Sequence, residues 1–164
     1  MTTFTIVHVV FSLVGIISGF VVAAGLLSSK RLDGWTMLFL TTTLATSLTG
    51  FGFPVERLLP SHVVGALSVV VLAAAIFARY VRLLAGGWRG IYVVTAVAAL
   101  YFNVFVLVVQ LFLKVPALNA LAPTQSEPPF AIAQLIVLVA FVALGIAAVR
   151  RFRYTRPVRS IASA

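Results

Sequence analysis

The stretch Phe4–Ser28, FTIVHVVFSLVGIISGFVVAAGLLS, carries no charged side chain. A bilayer core about 30 Å thick is crossed by about 20 helical residues, so this run is long enough to span it with modest tilt. Nothing basic precedes it, whereas a cleavable signal peptide wants a basic start and a small-residue cleavage site. It therefore reads as a permanent helix. The same pattern recurs along the chain and predicts five spans, at about 4–28, 35–53, 61–84, 89–113 and 130–149.

Composition agrees with that reading. Of 164 residues, 62% are hydrophobic and 9% charged, against roughly half and a quarter in soluble domains. The expected fold is an all-α integral membrane protein, with residues 1–149 forming a single five-helix transmembrane domain and 150–164 a basic cytoplasmic tail. The chain has no cysteine, which removes disulfides, thiolate metal sites and thiol redox chemistry.

The net charge of +9 is informative through its placement. Lys30, Arg31, Arg79, Arg82, Arg89, Arg150, Arg151, Arg153, Arg156 and Arg159 all fall on one side of the predicted spans, with Asp33 as the acid there. The other side holds Arg57 and Lys114, matched by Glu56 and Glu127. Basic residues in short loops stay cytoplasmic, so the N-terminus is expected outside and the C-terminus inside. Arg79 is expected to snorkel to the inner surface, and Trp35, Trp88, Tyr80 and Tyr92 to anchor the inner interface. Arg150, Arg151, Arg153, Arg156 and Arg159 are expected to contact anionic lipid. Topology accounts for these charges without nucleic acid as a partner.

Two landmarks repeat: "HVV" at 8–10 and 62–64, and "GW" at 34–35 and 87–88. Such spacing fits a parallel duplication of spans one and two as spans three and four, although short matches in a chain this rich in valine and glycine also arise by chance. Either way, His8 and His62 both enter from the outer face. Span four adds Asn103 and Gln110, and span five adds Gln134, so a polar cluster of His8, His62, Asn103, Gln110 and Gln134 is expected in the outer half. Span two contributes hydroxyl rows around Thr42, Thr46 and Thr49, and Thr43, Ser47 and Gly50, which are cheap to bury and read first as helix packing. Span one sets Gly15 and Gly19 on a small-residue face suited to close helix approach.

Two imidazoles at equal depth on different helices meet the minimum for axial ligation of b-type haem iron, with His8 and His62 as the ligands. A quinone headgroup bonded by His and Gln fits the same cluster. The plainer reading is that His62, beside the helix-start residues Pro60 and Ser61, reaches interfacial water. No Gly-rich phosphate loop, paired carboxylates or nucleophile elbow indicates catalysis. The expected role is a binding or accessory component of a membrane assembly, possessing a membrane-protein partner or forming a homo-oligomer. The alternative is a small homo-oligomeric transporter or pore, which would need a continuous polar path inward.

The stretches TSLTGFGFP (46–54), PSH (60–62) and FVLVVQLFLKVPALNALAP (105–123) resemble small multi-span bacterial inner-membrane proteins of unassigned function. That resemblance implies placement in a bacterial inner membrane and brings no ligand with it.

Overall fold

The structure, a computed structural model, describes residues 3–52 and 60–153, the side chains of 60–62 excepted. The described residues are helical throughout their ordered elements, with no strand among them. In order they form α1 (Thr3–Leu27), α2 (Asp33–Gly50), α3 (Pro60–Ile76) continuing into a π-helical turn (Phe77–Val81), α4 (Trp88–Lys114), the short α5 (Pro116–Leu121) and α6 (Pro128–Arg151). Helices are the economical answer for such sequences, because within hydrocarbon each backbone N–H and C=O must find its partner inside the segment.

Four helices are long and apolar enough to cross a membrane: Thr3–Leu27, Val63–Val81, Trp88–Lys114 and Pro128–Arg151. The threonine-rich α2, with Asp33 in its first turn, is less apolar. Its 18 residues extend about 27 Å at 1.5 Å per residue.

Local signals set several helix ends. Proline opens α3, α5 and α6, where its missing N–H costs nothing and its fixed φ suits the first turn. Arg150 and Arg151 close α6, favourably placed against the negative end of the helix dipole. The segment after Lys114 contains the helix α5, whose Asn119 side chain donates to the Phe112 carbonyl at 3.1 Å.

α1 packs on α2, α2 on α3, α3 on α4, and α4 back on α1, which closes a ring of four helices; α6 lies outside against α4 and α1. Neighbours in the ring run antiparallel, since His8 near the start of α1 bonds Thr49 near the end of α2, and Arg79 beyond α3 bonds Asp33 at the start of α2. Lipid offers no hydrophobic drive to join helices, so close packing and small residues must do it. Gly19 illustrates this: a Cβ there would lie 2.5 Å from Leu100 and 2.9 Å from Phe39. The tight core, including Leu26, Phe39, Leu72, Ala75, Leu100 and Tyr92, fills one half of the ring.

That half also departs from the sequence reading. Arg79 does not snorkel: its side chain is 0% exposed, and Nη2 donates to Asp33 Oδ1 at 2.6 Å and to the Arg31 carbonyl at 3.0 Å. Its guanidinium lies 5.0 Å from the centroid of the Tyr92 ring. The π turn, in which Arg82 N–H reaches back to the Phe77 carbonyl, inserts the extra residue beside Arg79. Tyr92 is likewise buried rather than an interfacial anchor, covered by Phe152. Phe152 is itself fully buried and Arg153 N–H donates to Ser29 Oγ, so residues 150–153 belong to the bundle rather than to a tail. Arg156 and Arg159 lie outside the described residues.

Candidate functional site

The other half of the ring is hollow. A cavity of about 570 Å³ opens between α1, α2, α3 and α4, within the usual range for small-ligand sites. Its lining includes the small residues Gly50, Gly65, Ser12, Ser47 and Ser68. Small residues on facing helices leave space that longer ones would fill.

His8, Asn103 and Gln110 all line this cavity. His8 is held by a defined relay: Thr49 Oγ1 donates to the Ala45 carbonyl at 2.7 Å, which leaves its lone pair to accept from His8 Nδ1 at 2.8 Å. Ser12, one turn below, donates to the His8 carbonyl at 2.8 Å.

Asn103 marks the floor. It is 9% exposed, and its Nδ2 donates to Thr43 Oγ1 at 3.1 Å. Gly15 makes this contact possible, because a Cβ there would approach Thr43 Oγ1 at 3.1 Å and Asn103 Nδ2 at 3.4 Å. From Asn103 to Lys114 at the rim, the α4 face rises about 16 Å. Between floor and rim the walls are apolar, with Val9, Leu13, Phe51, Val106, Leu107 and Leu111.

Gln134 is not in this site. Its Nε2 donates to the Phe105 carbonyl at 3.2 Å in the seam between α6 and α4, which makes it an interhelical tie. The His62 side chain lies outside the described residues; its backbone belongs to the first turn of α3, diagonally across the ring from α1. Among the described residues, no three His, Cys, Asp or Glu side chains gather as a metal site would need.

Lys114 and Thr46 were missed as site residues. Lys114 reads from sequence as half of a balanced loop charge, yet the positions 103, 107, 110 and 114 recur at four, three and four residues, which is one face of a helix. Thr46 lines the cavity, and its hydroxyl is buried with no hydrogen-bond partner. α5 packs on α4 and contributes no residue to the cavity lining.

No known protein family, characterised protein or solved structure matches this chain.

Proposed function

We propose that this chain is a non-enzymatic, multi-pass bacterial inner-membrane protein that binds an amphiphile in the ring cavity and serves as a binding or accessory component of a larger membrane assembly. The observation that carries the reading is the cavity itself, apolar along its walls and supplied with a fixed imidazole and two carboxamides. Few polar groups converging in an otherwise apolar hollow is the usual construction of a small-molecule site.

Five crossings are the count in this reading, α2 included. Support comes from antiparallel packing around the ring and from charge, since Lys30, Arg31, Arg79, Arg82 and Arg89 gather at the end opposite Lys114. The hollow half then faces outward, and the C-terminal arginines meet the anionic inner leaflet.

Candidate occupants are a quinone headgroup and b-type haem. His8 is the imidazole a ligand hydroxyl or haem iron would meet, and ligating imidazoles are commonly oriented by a further hydrogen bond such as the one His8 Nδ1 shares with Thr49. A second axial imidazole would come from His62. Transport of a neutral solute through one chain is less well supported, because Phe39, Leu72 and Leu100, each at most 1% exposed, fill the ring beneath the cavity. A homo-oligomeric pore would have to run between chains.

The test is to purify the protein in mild detergent from haem-replete cells, record its absorption spectrum and identify extracted amphiphiles by mass spectrometry. Wild type is expected to carry a near-stoichiometric ligand that falls at least about tenfold in His8→Ala, a loss equal to about 1.4 kcal/mol. A colourless wild type with no enriched amphiphile sinks the proposal.

A further inference from the structure

The cavity has a cation at its rim. Lys114, the last residue of α4, lines the mouth together with His8 and Gln110. Ion pairs among the described residues join Arg31 and Arg79 to Asp33, at the far end of the bundle. Glu127 is committed elsewhere: its carboxylate accepts from Thr124 N–H, Thr124 Oγ1 and Ser126 N–H. Among the described residues, Lys114 thus forms no ion pair.

On the cavity wall, Ser12 and Ser47 each donate to a carbonyl one turn back. Thr46 does not; its buried hydroxyl is left without a partner on the cavity wall. A positive rim, apolar walls and one open hydroxyl deeper in form a graded site.

The geometry points to an anionic amphiphile as the ligand, with one carboxylate or phosphate at Lys114 and its hydrocarbon body between Leu13, Val106 and Leu107. This rests on the reading of the cavity as an amphiphile site and narrows it to acidic headgroups. Haem, which bears carboxylates, stays within the class; a neutral quinone falls outside it. A charge-assisted bond from an ammonium to an oxyanion is roughly twice as strong as its neutral counterpart, so headgroup charge should decide affinity.

The test is saturable binding of radiolabelled palmitate, hexadecyl phosphate and hexadecanol to the full chain in phosphatidylcholine nanodiscs at pH 8.5, with empty nanodiscs as background. Palmitate and hexadecyl phosphate are expected to bind at least about tenfold tighter than hexadecanol. Lys114→Gln is expected to erase that preference and Lys114→Arg to keep it. Acetate and inorganic phosphate should not displace palmitate. Equal binding of acid and alcohol, or a preference surviving in Lys114→Gln, overturns the anionic assignment and leaves the amphiphile reading standing. Displacement by inorganic phosphate makes this a free-anion site and overturns the inference. No saturable binding of any of the three ends both.

Discussion

Arg79 is the most demanding side chain in the molecule to bury. Its guanidinium is fully covered, and only Nη2 finds hydrogen-bond acceptors among the described residues, while Nε and Nη1 find none. Such a group stays buried only if its partner holds it. Removing that partner in Asp33→Asn is expected to lower stability by about 1–3 kcal/mol, the usual cost of breaking a buried pair discounted because Asp33 is 67% exposed. Thermal unfolding in detergent checks this. The double variant Asp33→Asn/Arg79→Met should lose less than the two single variants summed, since the uncompensated charge is then gone. At Gly19, where a Cβ would collide with Leu100 and Phe39, Gly19→Val is expected to cost about 1–3 kcal/mol in the same assay. Gly34, with nothing within 4 Å of a Cβ, should accept alanine with little change.

The elements differ in how openly the sequence announces them. α1, α4 and α6 are apolar runs with few interruptions, and their existence follows from the bilayer's thickness alone. α2 is harder, since Asp33 and its threonines dilute the apolar signal that its packing against α1 and α3 supplies in three dimensions. The π turn after α3 was not legible, and neither was the pairing of its Arg79 with an acid 46 positions earlier. At the cavity, His8, Asn103 and Gln110 were found through their rarity in apolar helices. Lys114 was missed because a cation at a helix end reads equally well as loop charge, and Gln134 was misplaced because sequence gives depth but not which seam a helix face enters. The start of α6 carries a pH prediction. Slight desolvation of Glu127 raises its pKa, but hydrogen bonds from Thr124 and Ser126 outweigh it and hold the carboxyl below its ordinary 4.5. A depressed carboxyl stabilises the fold fully above that value and loses its contribution as pH falls through the folded pKa. The Thr124 and Ser126 amide resonances are therefore expected to titrate with a midpoint under 4.5, and in Glu127→Gln this titration should vanish. A midpoint at or above that value would show the cap to be unformed.

At the scale of the whole molecule, the bundle is divided into a packed half locked by Arg79 and Asp33, and a hollow half lined by His8 and Asn103. Its orientation is directly testable, because the chain has no cysteine to blur a labelling experiment. Arg57→Cys and Ala117→Cys are expected to react with an impermeant maleimide on intact spheroplasts, and Lys30→Cys and Ala85→Cys only after permeabilisation. Protection of Arg57→Cys alongside Lys30→Cys would mean that α2 does not cross. The central claim, that the hollow half is a binding site, is best tested by filling it. Leu107→Trp adds an indole to the cavity wall while leaving His8, Asn103 and Lys114 unsubstituted. Bound amphiphile per chain in nanodiscs should be near one for wild type and near zero for Leu107→Trp, at equal helicity by circular dichroism. Equal occupancy in the two folded proteins would contradict the account.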